Sequence, residues 1–253
     1  MTRTEQLYFL IHELMPTAAI PKRDADRWTM FRTLVNLREP GPVSEAFLQV
    51  QDDFLKAEIA AKGITQLADL QPIRDGIYLW QGDSTTLAVD AIVNAANSGL
   101  TGCYCPCHRC LDNAVHTFAG VQLRNDCARL MAAQNHEEPV GQAKITPAYN
   151  LPSRFVLHTV GPLVSGRLTN RHRAQLAACY RACLDLAVRN RLNSVAFCCI
   201  STGEFHFPNE EAAQIAVHTI RDYQRQSAAK LNIVFDVFKT EDWNTYQRLL
   251  LAE

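Results

Sequence analysis

From about residue 76 the chain alternates short apolar runs with longer amphipathic runs, and this alternation constrains the fold more than any other feature. The run DAIVNAAN is almost continuously apolar, which is typical of a strand that is buried on both faces. The predicted strands are IYLW (77–80), DAIVNAAN (90–97), RFVLHTV (154–160), SVAFCCI (194–200) and LNIVFDVF (231–238). Because helical patterns alternate with these strands, we predict an α/β fold whose mainly parallel sheet is covered by helices on both faces.

The segments between these strands carry apolar residues along one helical face. One stripe runs from Leu111 to Leu130 and predicts a single helix. Later helices are predicted at 173–188, 209–223 and 240–250, and Thr240 is the predicted N-cap of the last one.

The residues before this alternation have a different pattern. Apolar residues recur at helical spacing in three runs, which end at Pro16, before Pro40 and at the Lys62–Gly63 pair. We therefore divide the chain into an N-terminal helical extension, residues 1–75, and a main α/β domain, residues 76–253.

The composition argues against several classes of protein. Of the 253 residues, 47% are hydrophobic and 20% are charged, which fits a globular chain with a real core. Lys and Arg (25) balance Asp and Glu (26), so the bulk charge predicts no nucleic-acid or membrane partner. No stretch approaches the about 20 apolar residues of a membrane span, and the first residues lack a signal-peptide pattern. We therefore expect a soluble, cytoplasmic protein whose nine cysteines are reduced.

Four cysteines and two histidines lie within GCYCPCHRCLDNAVH, residues 102–116. Cys103, His108 and Cys110 offer thiolate and imidazole groups within eight residues, and zinc binds such groups in a tetrahedral shell. No CxxC or HxxxH pair elsewhere is an obvious source of a fourth ligand, and three protein ligands with one open position are typical of a catalytic zinc. Two alternatives remain: a four-sulfur site that includes Cys105 and Cys107 instead of the histidine, or an oxidised loop.

Two predicted loops carry polar groups at the ends of strands, where α/β folds bind ligands. Asn94 and Asn97 end an apolar run, and each either ties the loop together or faces a ligand. In ISTGEFHFP, the residues Ser201, Thr202 and Gly203 offer hydroxyl and N–H groups that can cradle phosphate.

Aromatic residues accompany these loops. Phe205 and Phe207 give the second loop an apolar surface that can contact a sugar or a base. Phe235, Phe238 and Trp243 surround the end of the last strand, and we expect them in the core.

Four stretches together resemble the macrodomain family: GDSTTLAVDAIVNAANSGL, GQAKITPAYNLP, VLHTVGP and ISTGEFHFP. They occur in the family's order, and the resemblance covers about residues 76–251. It implies a three-layer α/β/α module with a mixed, mainly parallel sheet that binds ADP-ribose. Residues 102–116 replace the usual glycine-rich loop and resemble the pattern G-C-x-x-P-x-H-x-C-x-D-N-x-x-H of the zinc-dependent macrodomains, which also carry an N-terminal helical extension.

This resemblance implies a Zn²⁺ cofactor that is bound by Cys103, His108 and Cys110, whereas Cys105 and Cys107 lie outside the family pattern. The implied activity is hydrolytic removal of mono-ADP-ribose from protein side chains, with acidic residues as the expected linkage. Zinc is expected to orient the distal ribose for attack by water. The implied partners are the mono-ADP-ribosylated protein, the product ADP-ribose and a sirtuin-like ADP-ribosyltransferase system.

The resemblance also assigns residues to the ligand. Asp83 is expected at the adenine amino group, the 201–205 segment at the diphosphate, and Asn97 at a hydroxyl of the distal ribose. Asp112 is expected to orient water or ribose, so that Asn97 and Asp112 are the predicted catalytic residues. The predicted ligand-binding residues are Asp83, Ser84, Asn97, Ser201, Thr202, Gly203, Glu204 and Phe205. Two rival functions are a reader that binds ADP-ribose without hydrolysing it and a structural zinc domain that serves protein contacts.

Overall fold

A computed structural model describes residues 1–227 and 229–252. The first part contains α1 (Arg3–Leu14), α2 (Asp24–Leu37) and α3 (Glu45–Lys62), as the apolar runs predict. Side chains stabilise the ends of these helices: the Thr2 hydroxyl accepts a hydrogen bond from the Glu5 N–H, and the Ser44 hydroxyl accepts one from the Phe47 N–H. Gly63 ends α3 with a φ of +89°, a conformation that favours glycine.

Strands and helices alternate through the rest of the chain. The strands are β1 (Thr65–Gln66), β2 (Pro72–Arg74), β3 (Ile77–Gln81), β4 (Leu87–Ala88), β5 (Ala91–Ala96), β6 (Ala143–Pro147), β7 (Phe155–Val160), β8 (Ser194–Phe197) and β9 (Asn232–Val237). The helices are α4 (Leu111–Ala119), α5 (Val121–Gln134), α6 (Asn170–Arg189), α7 (Asn209–Gln226) and α8 (Thr240–Leu251).

The main sheet has seven strands in the order β2-β3-β9-β8-β5-β7-β6. The five inner strands run parallel, while β2 and β6 pair antiparallel at the two edges. This mixed, mainly parallel sheet confirms the predicted topology class. The first edge strand, β2, precedes residue 76, so the end of the predicted extension contributes to the main sheet.

Successive residues of each inner strand point to opposite sides of the sheet, and apolar residues on both sides are buried by helices. In β5, Ala91 and Val93 pack against the core formed with α6, α7 and α8. Ile92 and Ala96 pack instead with α4, α5 and the extension. The three-layer α/β/α fold therefore agrees with the prediction.

The extension shares this second core. Trp28 of α2 lies 5.8 Å from Phe54 of α3 and 5.7 Å from Phe118 of α4, measured between ring centroids. Phe31 completes the group and is edge-on to Phe54. These four rings form one aromatic cluster that joins the extension to the main domain.

Three local predictions are wrong. The single helix predicted from Leu111 to Leu130 is divided at Gly120, whose φ is +97° and where a Cβ would meet the Gln51 side chain at 2.6 Å. Thr240 is not the N-cap of α8, because Lys239 holds that position and makes no capping side-chain bond. The strand predicted at 194–200 ends at Phe197. Within residues 1–227 and 229–252, no helix combines the length and the apolar character needed to cross a membrane.

Candidate active site

The strand order brings four loops to one edge of the sheet. β3, β9, β8 and β5 are successive neighbours and run parallel, so their carboxyl ends lie together. The segments that follow them contain Asp83, Phe238, the 201–205 segment and Asn97, in that order across the sheet. Residues that are far apart in sequence therefore meet along one edge.

Asp83 follows β3 and is held as an ionised acceptor. Its Oδ1 accepts hydrogen bonds from the Thr85 N–H (3.0 Å) and hydroxyl (2.6 Å), and its Oδ2 accepts one from Nζ of Lys62 (2.9 Å). Burial opposes its ionisation, but these bonds outweigh the burial and lower the pKa of Asp83. The same Lys62 Nζ lies 3.5 Å from the centroid of the Phe118 ring, so the end of α3 contacts this part of the site.

Ser84, next to Asp83, has its side chain turned inward. Its hydroxyl donates a hydrogen bond to Oδ2 of Asp236, a β9 residue that is 5% exposed. Burial raises the pKa of Asp236 to about 8, and the nearby Asp83 carboxylate adds to this shift. The Ser84 hydroxyl is thus engaged within the protein. Sequence reasoning missed Asp236 because a lone carboxyl within an apolar strand matches no motif.

Phe238 lies just beyond β9 and is 79% exposed, so its expected place in the core is wrong. Phe235, inside the strand, is 1% exposed as predicted. Trp243 is half-buried against the same core. The side-chain amide of Gln81 donates to the Phe238 carbonyl (3.1 Å), which fixes the backbone at this point. The structure thereby presents one open aromatic face beside Asp83, at the sheet edge.

The loop after β8 presents backbone donors more than hydroxyls. Within residues 1–227 and 229–252, the N–H groups of Gly203, Glu204 and Phe205 have no backbone acceptor. The Thr202 hydroxyl already donates to the Cys199 carbonyl (2.9 Å), and the Ser201 hydroxyl is buried. An anion in this loop would therefore be bound mainly by backbone N–H groups.

The two aromatic residues of this loop have different surroundings. Phe205 is half-buried, and its carbonyl accepts a hydrogen bond from the Val164 N–H (2.9 Å). Phe207 is 1% exposed and belongs to the core, so its predicted contact with a sugar or base is wrong. Glu204 extends toward the neighbouring loop, and its Oε1 lies 3.7 Å from Nε2 of His108.

Asn97 shapes the loop after β5. Its Nδ2 donates to the Gly102 carbonyl (3.0 Å), and its Oδ1 accepts from the Gly99 N–H (3.0 Å). Gly102 has a φ of +87°, and a Cβ there would lie 2.7 Å from Cγ of His116. The loop can pass close to His116 only because residue 102 has no side chain. The predicted contact between Asn97 and a ribose hydroxyl stays a prediction.

Cys103, His108 and Cys110 come together in this loop. Their possible ligand atoms all lie within 4.8 Å of one another, and Sγ of Cys103 is 3.6 Å from Nδ1 of His108. Tetrahedral zinc with bonds of about 2.3 Å to sulfur and about 2.05 Å to nitrogen would separate these two atoms by about 3.6 Å. The donor set and its spacing therefore fit a zinc ion.

The other two cysteines of the loop do not join this cluster. Cys105 is exposed, while Sγ of Cys107 lies 3.5 Å from the Thr33 hydroxyl and 3.6 Å from the Thr29 carbonyl on α2. Every cysteine in the described part of the chain is a free thiol. This geometry favours the Cys–His–Cys set over the four-sulfur set.

A buried polar group adjoins residues 102–110, which we call the Cys/His loop. Asp112, 5% exposed, accepts a hydrogen bond at Oδ1 from Nδ2 of Asn94 (2.8 Å), and the same oxygen lies 3.6 Å from Nε2 of His116. Burial raises the pKa of Asp112 to about 6 and lowers that of His116. Nδ2 of Asn94 also lies 3.3 Å from Nδ1 of His158. The i, i+4 spacing of Asp112 and His116 is the sequence signal that could have paired them.

Comparisons with known proteins identify the family of this chain. The Macro domain family model matches residues 93–216. A protein from Treponema medium named "Protein-ADP-ribose hydrolase" is 50% identical over 99% of this chain and 100% of its own length. A protein of the same name from Staphylococcus aureus is 47% identical over 90% of this chain and 86% of its own.

A solved structure supports the same relationship. The Trypanosoma brucei macrodomain in complex with ADP-ribose aligns with a TM-score of 0.68 and 29% identity, over 87% of this chain and 94% of the other. The chain therefore belongs to the macrodomain family. Within that family, it falls among the hydrolases represented by the Treponema and Staphylococcus proteins.

Proposed function

We propose that this protein hydrolyses the bond between the distal ribose of ADP-ribose and a protein side chain, and that its substrates are mono-ADP-ribosylated on acidic residues. The order of groups along the sheet edge carries this proposal. Asp83 and Phe238 come first, the N–H groups of residues 203–205 follow, and the Cys/His loop comes last. ADP-ribose has its base, diphosphate and distal ribose in the same order.

Each part of this edge suits one part of the ligand. The Asp83 carboxylate can accept a hydrogen bond from the adenine amino group, and the Phe238 ring can stack on a base. The N–H groups of Gly203, Glu204 and Phe205 can bind diphosphate oxygens without the help of a positively charged side chain.

The distal ribose would then lie at the Cys/His loop. Cys103, His108 and Cys110 would hold zinc, which when bound supplies a Lewis acid that orients the ribose through its oxygen atoms. Burial raises the pKa of the Cys110 thiol to about 12, so a bound cation would be needed to hold Cys110 as a thiolate.

Asp112 would act as the general base for the attacking water. Asn94 fixes Oδ1 of Asp112, and the carboxylate can accept a proton from the water that attacks the anomeric carbon. As the new C–O bond forms, the bond from the anomeric carbon to the modified carboxylate breaks, and that carboxylate leaves with the electron pair. A carboxylate leaves without needing a proton, which agrees with the lowered pKa of the neighbouring His116.

The experiment is to incubate a protein mono-ADP-ribosylated on glutamate with this enzyme, and to measure released ADP-ribose by chromatography. We expect release that a zinc chelator abolishes and added Zn²⁺ restores. Release that persists in chelator would contradict the role of zinc. Binding of free ADP-ribose with no release would identify the protein as a reader.

A pair of variants sharpens this test. Asp112→Asn should retain ADP-ribose binding and lose about 10²–10⁴-fold in rate, the usual contribution of a general base. Asp185→Asn is the matched control, because Asp185 lies on α6 and bonds Tyr223 (2.8 Å) away from the sheet edge. Equal loss in both variants would contradict the assignment of Asp112. The association with a sirtuin-like ADP-ribosyltransferase stays a prediction.

A further inference from the structure

Helix α2 of the extension contacts the Cys/His loop through one arginine. Nη2 of Arg32 donates to the His108 carbonyl (2.8 Å) and to Oδ1 of Asn113 (2.7 Å), and Nε donates to the same Oδ1 (3.2 Å). Arg32 is thus bonded to the backbone of one expected zinc ligand and to the side chain of Asn113. It touches no ligand sulfur or nitrogen in these contacts.

Asn113 carries the contact further into the loop. It is fully buried, and its Nδ2 donates to the carbonyls of Cys105 (3.0 Å) and Cys103 (3.5 Å). Its own N–H donates to Sγ of Cys110 (3.4 Å). Since a guanidinium has only donors, Arg32 must face the amide oxygen of Asn113, and this leaves the NH₂ group for the loop carbonyls.

A second residue of α2 holds the other side of the loop. Oδ1 of Asn36 accepts a hydrogen bond from the Cys107 N–H (2.9 Å), and its Nδ2 donates to the Thr117 hydroxyl (3.0 Å). The end of α2 is itself held by Arg124, whose Nη1 donates to the carbonyls of Val35 (3.0 Å) and Asn36 (2.8 Å). The loop is therefore fastened to a helix that has its own attachment to the main domain.

We propose that Arg32 is a positioning residue for the metal site: through Asn113 and the His108 carbonyl it holds Cys103, His108 and Cys110 in their ligating arrangement. The inference rests on the proposed zinc site and extends it to the helical extension. A loop held in place before the metal arrives loses less conformational entropy on binding. Outer contacts of this kind are worth about 10–100-fold in metal affinity.

The test measures zinc affinity of the full chain by competition with a chromogenic chelator, without any substrate. Arg32→Lys keeps the charge and removes the two-pronged contact, so we expect zinc affinity about 10–100-fold weaker than wild type. Arg27→Lys is the matched control. Arg27 lies on the same helix and is buried, but bonds the Pro21 (2.7 Å) and Lys22 (2.6 Å) carbonyls rather than the loop. The zinc affinity of Arg27→Lys should equal that of wild type.

Cobalt substitution gives a second readout, since the ligand-field bands of Co²⁺ report its coordination geometry. At saturating Co²⁺, Arg32→Lys should show altered bands and Arg27→Lys should not. If Arg32→Lys does not fold, Asn113→Asp replaces it. This variant keeps the oxygen that accepts from Arg32 and removes the NH₂ group that donates to the carbonyls of Cys103 and Cys105. In that case zinc affinity should fall by the same factor.

The outcomes separate the two proposals. If wild-type protein binds no zinc, the proposed metal site fails and the role of Arg32 fails with it. If wild type binds zinc and Arg32→Lys, or its replacement, binds it equally well, the metal site stands and the positioning role is overturned. Equal weakening in Arg27→Lys would also overturn it, because the effect would then come from α2 in general.

Discussion

Asp236 makes a contribution to the free energy of unfolding that should fall with rising pH. Its carboxyl is 5% exposed and bonded to the Ser84 hydroxyl, and burial together with Asp83 raises its pKa to about 8. In the unfolded chain an aspartate has a pKa of about 3.9. Between these two values the folded protein keeps a proton that the unfolded chain releases.

The difference between the two pKa values determines how the contribution of Asp236 to the unfolding free energy changes with pH. The stabilising contribution is complete below about pH 4, is lost as pH rises toward about 8, and changes no further above that. Within the window, the free energy of unfolding falls by about 1.4 kcal/mol per pH unit on account of this group. Asp236→Asn keeps the shape and cannot ionise. Relative to wild type it should therefore gain about 2.7 kcal/mol between about pH 5 and about pH 7.

The assay is urea unfolding of both proteins at several pH values between 5 and 7, with the difference in unfolding free energy plotted against pH. Asp26→Asn is the control. Asp26 accepts hydrogen bonds from Arg23, which lower its pKa, so its contribution is already complete above about pH 4. Its difference from wild type should be flat in this range. A flat difference for Asp236→Asn as well would refute the reasoning.

Three further predictions concern binding and packing. Phe238→Ala should weaken ADP-ribose binding by about 5- to 150-fold, the value of one aromatic stacking contact, and calorimetry that finds an unchanged Kd would contradict this. Phe54→Ala should lower the unfolding free energy by about 3–5 kcal/mol, because it empties a place in the aromatic cluster; an unchanged urea midpoint would count against it. Cys110→Ser should lose zinc in elemental analysis while Cys105→Ser retains it, and equal metal content in the two would show that the ligand set is wrong.

Patterns over several residues predicted the fold well. The continuous apolar run before Asn97 gave β5, and the helical spacing around Phe31 and Phe54 gave α2 and α3. Strand β6 was missed because Lys144 and Thr146 interrupt its apolar character, as edge strands allow. In each case the prediction depended on whether the apolar residues of the segment recur at a regular spacing in the sequence.

Single residues were harder to interpret, because their surroundings come from other parts of the chain. Phe207 and Phe238 are the same residue type near strand ends, yet one lies in the core and the other is open to solvent. Ser84 was expected at the ligand, but Asp236, which bonds its hydroxyl, is brought beside it only by the pairing of β3 with β9. The spacing of Cys103, His108 and Cys110 allowed several ligand sets, and the contacts of Cys107 with α2 favour one of them.

The aromatic cluster of Trp28, Phe31, Phe54 and Phe118 has a consequence for protein engineering and for protease experiments. Three of its rings come from the extension and one from the main domain, so cutting the chain after α3 would open a large apolar face on both pieces. A fragment that begins at residue 76 should be prone to aggregation. Denaturant should melt the extension and the sheet in a single cooperative transition, which makes the two parts one unit of expression and purification.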